Sequence, residues 1–199
     1  MKITNIKIEL FNWERDAWIT GVGTTFGGTK KLGVVSVETD EGVTGNAFLG
    51  SALVGADHFG PALIEFAKPM LIGRNPQDIG AIWWDLWKKN RSISTNAIGA
   101  IDICLWDING KIANQPIHRL LGTCKEKVPV YSSTAYHKTK EEYVEEALKF
   151  KEMGWTAHKI HPHGVPSSDI EISQAVRNAV GDDIKLMLDS MWAYQYEDA

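Results

Sequence analysis

The apolar and polar positions of this chain change rhythm three times, and each rhythm predicts a different kind of element. Ile6, Ile8 and Leu10 alternate with polar residues, and a period of two predicts an opening strand with one buried face. Residues 12–31 break the alternation, with Gly21, Gly23, Gly27 and Gly28 interspersed among Trp13, Trp18 and Phe26. A loop of that length in a compact protein is usually functional or disordered, and the aromatic residues favour a functional lid. Residues 32–39 and 43–48 are β-like runs joined by Asp40-Glu41-Gly42, a hairpin turn, so the first part of the chain predicts a small antiparallel meander.

Helical spacing follows. Pro61 to about Met70 carries apolar Leu63, Ile64 and Ala67. Asn75-Pro76-Gln77-Asp78 then supplies an N-cap, a first-turn proline and a first-turn acid ahead of Ile79, Ile82, Trp83, Leu86 and Trp87. The tryptophans read as packing groups. Ile98, Ile101, Leu105, Ile108 and Ile112 recur at intervals of three and four, which predicts a well-buried amphipathic helix over 95–113. Asp107 and Lys111 can pair across one of its turns, a surface detail worth a few tenths of a kcal/mol.

From Lys127 the pattern alternates strand with helix: strands over 128–132, 156–161 and 184–189, helices over 140–153 and 167–180 ended by Gly154 and Gly181, and the start of another helix near Tyr196. Strand, helix, strand is a βαβ unit with parallel strands. Within Thr156-Ala-His-Lys-Ile-His-Pro-His163, side chains alternate across the sheet, so Lys159 and His161 share one face and His158 and Ile160 the other. Asp189 ends the next strand. In parallel α/β folds ligands bind at the carboxyl ends of strands, so Lys159, His161 and Asp189 form the candidate site.

Composition narrows the function classes. Hydrophobic residues make up 44% and charged residues 23% of the 199 positions, ordinary for a globular protein with a sizeable core. The formal charge of −4 and the absence of a basic run exclude a nucleic-acid footprint. No apolar stretch is long enough for a membrane span, the N-terminus predicts no signal peptide, and two scattered cysteines predict reduced thiols in a cytoplasmic protein. Gly21-Val-Gly-Thr-Thr-Phe-Gly-Gly28 is not a nucleotide loop, because its glycines precede a strand and no Lys-Ser/Thr pair follows. A zinc site on His158, His161 and His163 is disfavoured by their alternate orientation and the lack of a fourth ligand.

Three stretches resemble the enolase superfamily, and within it the mandelate racemase subgroup. Residues 97–122, from Ala-Ile-Gly-Ala-Ile-Asp-Ile-Cys-Leu-Trp-Asp to Arg-Leu-Leu-Gly, look like the signature of the helix that ends the family's capping domain. His158-Lys-Ile-His161 falls where the subgroup carries Lys-x-Lys at the end of the second barrel strand, and Leu186-Met-Leu-Asp-Ser190 where the family places its first metal-binding aspartate. The resemblance implies an α+β capping domain over residues 1–125. It is followed over 126–199 by the first part of a (β/α)7β TIM-type barrel, truncated after the third barrel strand. By itself such a barrel runs to about 250 residues.

By the same resemblance the reaction begins with removal of the proton α to a carboxylate, giving an enediolate stabilised by Mg2+, with Asp189 as one metal ligand. Lys159 is expected to contact the substrate carboxylate and to favour a neutral neighbouring base. His161 stands where relatives use lysine as the base; an imidazole, ordinarily titrating near about 6.5, can do that work. A histidine there favours Mg-dependent acid-sugar dehydration. The alternatives are a racemase, epimerase or cycloisomerase of a carboxylate substrate, or a catalytically incomplete fragment. Trp18 and Phe26 in the lid, His163 and Trp192 are the expected substrate contacts, and Met191-Trp192 replaces the asparagine that many members carry two residues after the aspartate. The expected partners are a small carboxylate or sugar acid and further copies of the chain in a homo-oligomer.

Overall fold

Strand character at the N-terminus runs much further than its apolar alternation. β1 spans Ile3–Ile19, β2 Thr25–Thr39 and β3 Thr44–Leu49, in one sheet of order β1-β2-β3. The computed structural model describes residues 1–19, 25–51, 54–134 and 136–198, with 16–19, 25 and 26 described by backbone alone. β2 and β3 are antiparallel, Val35 facing Ala47 and Val37 facing Gly45. Thr4 bonds Glu38 while Thr29 bonds Glu14, so rising numbers on β1 meet falling numbers on β2.

The loop expected over 12–31 is therefore corrected: the chain is strand through Ile19 and again from Thr25, and residues 20–24 lie outside the described part. Glycines suggested a loop because they weaken a strand locally, but pairing between neighbours satisfies the backbone whatever its side chains. The buried face is also shorter than expected: Ile3 and Ile6 are buried, Ile8 is half-buried and Leu10 is exposed.

The helices of the first part pack on this sheet. α1, Ala56–Ala62, runs through one π-helical turn at Leu63–Ala67 into α2, Lys68–Leu71. Pro61 and Pro69 lack the amide hydrogens that a regular ladder would use, which suits a locally widened turn. α3 spans Ile79–Trp87 and α4 Thr95–Ala113, followed by α5, Ile117–Leu120. The Ser94 hydroxyl caps α4 by accepting the Ala97 amide, and left-handed Asn114 ends it.

Two expectations change here. Ile82 and Leu86 are buried, but Trp83, Trp84 and Trp87 are exposed and stack on one another, Trp83 on Trp87 at 5.3 Å with planes 8° apart. One four-residue row of α3 faces the core, and the adjacent row, with Trp83 and Trp87, packs on itself. The Asp107–Lys111 pair, 2.7 Å apart, is more than a surface detail: Asp107 also accepts the Asn46 amide at 2.8 Å and Lys111 donates to the Thr44 carbonyl at 2.6 Å. It ties α4 to β3.

The chain falls into two compact units, one of Met1–Arg15 with Gly27–Glu126, the other of Asp16–Phe26 with Lys127–Ala199. The second contains β4 Ser132–Ser133, α6 Lys140–Glu152, β5 Ala157–Ile160, α7 Pro166–Val180 and β6 Lys185–Leu188, then a short 3-10 turn, Tyr196–Asp198. Its strands are parallel in the order β4-β5-β6, with Ser132 beside His158 and Ile160 beside Leu188. Tyr143, Ala147, Ile160, Ile172, Val176, Val180 and Ile184 make its core. The strand expected over 128–132 is reduced to Ser132–Ser133, and Val128, Val130 and Tyr131 are exposed. Pairing makes a strand, and among the described residues only Ser132 of that run pairs with β5, with Ser133 carrying the pairing one residue further.

Candidate active site

Lys159, His161 and Asp189 meet because two parallel strands hold them in register. The Asp189 amide donates to the Ile160 carbonyl at 3.0 Å, which carries the ladder one step past β6 and sets Asp189 beside His161. Alternation along β5 puts Lys159 on the same face. Lys159 Nζ lies 3.1 Å from Asp189 Oδ2, and His161 Nε2 lies 3.6 Å from the same oxygen. The Met191 amide donates to Asp189 Oδ1 at 3.0 Å. That bond, with the Lys159 ammonium, holds the Asp189 carboxyl below the usual carboxylate range, so it is an anion at neutral pH.

The orientation of His161 can be read from its neighbours. Its Nδ1 lies 2.7 Å from the Thr134 carbonyl oxygen. A carbonyl only accepts, so Nδ1 carries a hydrogen and, in the neutral ring, Nε2 carries the lone pair. The ring also lies against Tyr136, with centroids 5.6 Å apart. Lys159 Nζ stands 5.6 Å over the ring of Tyr131, a second anchor for the ammonium.

The other expected residues fall out differently. His158 faces away, 2% exposed, with Nδ1 2.8 Å from Ser132 Oγ and its ring 5.6 Å from that of Phe150, as the alternation required. His163 is engaged with protein: Nε2 donates to the His137 carbonyl at 2.8 Å, and Nδ1 lies 3.4 Å from Ser168 Oγ. Trp192 is 91% exposed, and it and Met191 hold φ of 62° and 52°. Two successive non-glycine residues in the left-handed region cost on the order of 1–3 kcal/mol each, and the turn they make aims the Met191 amide at Asp189. The side chains of Trp18 and Phe26 lie outside the described residues.

Thr134, Tyr136 and Tyr143 were missed by sequence reasoning. Thr134 acts through its backbone, which no residue type announces. Tyr143 had a signal, a four-residue spacing to Ala147 on α6, but that marks burial and not the hydroxyl's partners.

The description "Mandelate racemase / muconate lactonizing enzyme, N-terminal domain" matches residues 6–122, and "Enolase C-terminal domain-like" matches residues 142–199. An arabinonate dehydratase from Saccharolobus solfataricus is 32% identical over 174 residues, covering 82% of this chain and 46% of that protein. A crystal structure of an enolase superfamily member from Polaromonas sp. JS666 superposes with a TM-score of 0.88 at 30% identity, covering 100% of this chain and 54% of that one. The dipeptide epimerase from Enterococcus faecalis, complexed with Mg and a dipeptide, gives 0.87 at 26% identity, covering 100% and 56%.

The chain belongs to the mandelate racemase / muconate lactonizing enzyme family of the enolase superfamily. It comprises that family's N-terminal capping domain and part of its C-terminal barrel domain, and spans about half the length of the curated relatives it matches. Those relatives are enzymes: acid-sugar dehydratases, a cycloisomerase and, among the structures, an epimerase.

The epimerase structure holds Mg, and a D-glucarate dehydratase structure from Agrobacterium tumefaciens is likewise complexed with magnesium. The donor set suits one position of such an ion: Asp189 is an anionic oxygen donor at a strand end, the ligand type a hard cation prefers. Among the described residues no group of three His, Cys, Asp or Glu converges as a complete ligand set.

Proposed function

We propose that this protein dehydrates a sugar acid, taking the proton α to its carboxylate and releasing the β-hydroxyl as water. The observation that supports this most is the His161 ring, its Nδ1–H committed to the Thr134 carbonyl and its Nε2 beside Lys159 and Asp189. Nε2 accepts the α-proton, and the electrons of the broken C–H bond move onto the carboxylate as an enediolate forms; when they return to make the Cα–Cβ double bond, the Cβ–O bond breaks and the hydroxyl leaves as water with a proton from a general acid. The Lys159 ammonium pairs with that carboxylate and offsets the growing negative charge. Asp189 would hold Mg2+, which when bound supplies further positive charge to the enediolate oxygens. Trp18, Phe26, His163 and Trp192 are proposed to line the substrate, with His163 also securing the loop that carries it.

A second reading, epimerisation or cycloisomerisation of a carboxylate substrate, begins with the same abstraction and is favoured by the likeness to an epimerase and a cycloisomerase. We also propose a homo-oligomer, supported by the exposed tryptophan stack of α3, a residue type enriched at interfaces. A monomer by light scattering would rule it out.

The test of function is incubation with a panel of aldonates and aldarates and Mg2+ in heavy water. The expected result is deuterium at the α-carbon together with a 2-keto-3-deoxy acid. His161→Asn should keep fold and metal binding while slowing α-exchange by about 10²–10⁴-fold. Exchange at the wild-type rate in that variant would remove His161 from the role of base. Exchange with a stereoisomer or lactone as the product would select the second reading.

A further inference from the structure

The tautomer of His161 depends on the distance between two parts of the chain: the end of β5, which carries the ring, and the stretch after β4, where Thr134 presents its carbonyl and Tyr136 and His137 follow. Thr134 and His161 both lie one residue beyond the strands, so their separation is set by the ties at the ends of these two stretches. Near β4 the tie is direct, since the Thr134 amide and hydroxyl both donate to the Lys159 carbonyl, at 3.1 and 3.3 Å. Three residues on, at His137, that ladder has ended.

There the hydroxyl of Tyr143 takes over. It accepts the His137 amide at 3.1 Å and donates to the His161 carbonyl at 2.7 Å. One oxygen on α6 thus bridges both segments. The side chain is fully buried and its ring meets that of His137 edge-on, centroids 5.0 Å apart and planes at 87°. Burial pushes the phenol up to about 12, so it remains a donor throughout the working range. His163 adds a separate bond to the same segment, Nε2 to the His137 carbonyl at 2.8 Å, and Glu146 holds His137 Nε2 at 2.6 Å.

We propose that Tyr143 is a positioning residue for the proton-abstracting step: it holds His137 against the end of β5 and so supports the placement in which the Thr134 carbonyl captures His161 Nδ1–H and leaves Nε2 as the base. A buried hydroxyl with one accepted and one donated bond has no further capacity in use. Replacing it by hydrogen takes the partner from one part-buried N–H and one part-buried C=O, and the segments gain freedom to part. The inference rests on the functional reading only for its catalytic consequence; the tautomer itself is a property of the resting protein.

The experiment uses protein labelled with 15N at histidine, without metal or substrate, at a pH where the ring is neutral. Long-range 1H–15N correlation spectra distinguish a protonated from an unprotonated ring nitrogen. The wild-type protein is expected to show His161 with Nδ1 protonated and Nε2 bare; the opposite pattern overturns the proposal outright. Tyr143→Phe, which keeps the ring, is expected to lose that pattern, averaging over both tautomers, and in turnover to lower kcat by about 10–100-fold with KM little changed, the usual size of an outer-shell effect. A folded Tyr143→Phe protein that retains the wild-type pattern overturns it. His163→Leu leaves Tyr143 in place and removes the separate bond to His137, so the pattern should survive there; its loss would overturn the proposal even if Tyr143→Phe did not fold. A tautomer change without any α-exchange in the wild-type protein would defeat the proposed function and leave the positioning role standing.

Discussion

At the scale of single residues, three positions separate contact from cost. Lys159 reaches both Asp189 and the Tyr131 face, so Lys159→Met should raise KM for the carboxylate substrate and lower kcat together, since the charge serves ground state and transition state alike. An unchanged KM would place the substrate carboxylate elsewhere. Gly45 matters for a reason unrelated to backbone freedom: a Cβ there would collide with the Cys104 carbonyl of α4. Gly45→Ala should therefore destabilise by about 1–3 kcal/mol, read as a lower urea midpoint with unchanged slope. His158 is buried, its Nε2 has no hydrogen-bond partner among the described residues, and burial pushes its pKa below the ordinary histidine value. Between that depressed value and about 6.5 the unfolded chain binds the extra proton and the native state does not. Its contribution to stability is thus present above about 6.5 and lost as pH falls through the folded value. The urea midpoint should fall on acidification through that window, and His158→Leu should flatten the fall; an equally steep fall would assign it to other groups.

At the scale of elements, the caps carry more than local stability. α6 begins with a reciprocal pair, the Glu142 amide donating to the Thr139 hydroxyl at 3.3 Å and the Thr139 amide to the Glu142 carboxylate at 3.1 Å. Tyr143 is the next residue, so the cap sets the first turn from which its ring projects. Thr139→Ala should cost about 1 kcal/mol and speed hydrogen exchange in that turn. Exchange there at the wild-type rate would mean that the Tyr143 hydroxyl anchors the turn by itself. At the other end of the βαβ unit, Arg177 donates to the carbonyls of Gly181 and Ile184 at 2.6 and 2.8 Å, closing α7 onto the start of β6 and so fixing where Asp189 emerges.

At the scale of the whole molecule, the two apolar clusters share no residue: one is built on Ile6, Val35, Val37, Leu86, Ile101 and Leu105, the other on Tyr143, Ile160, Ile172 and Val176. Separate cores predict separable unfolding. Leu105→Ala, at a 1% exposed position, should remove about 2–5 kcal/mol. Its effect should appear as faster native-state hydrogen exchange in β2, β3 and α4, with α6 and α7 unchanged. A uniform acceleration would mean that the two cores unfold as one.

The sequence by itself determined most elements and the nearness of Lys159, His161 and Asp189, since both follow from periodicities that survive folding. Period two put Lys159 and His161 on one face, and the three-and-four spacing of α4 marked its helix from Thr95 to Ala113. Only the tertiary structure decided what depends on partners distant along the chain. Pairing extended β1 to Ile19 and began β2 at Thr25, and among the described residues it gave 128–131 no ladder, because a strand exists by virtue of its neighbour. Packing chose Ile82 and Leu86 over the adjacent tryptophans, because one face of a helix is covered at the expense of the next. The tautomer of His161 was legible nowhere in the chain: it is set by the Thr134 carbonyl and the Tyr143 hydroxyl, groups whose chemistry is ordinary and whose positions exist only after folding.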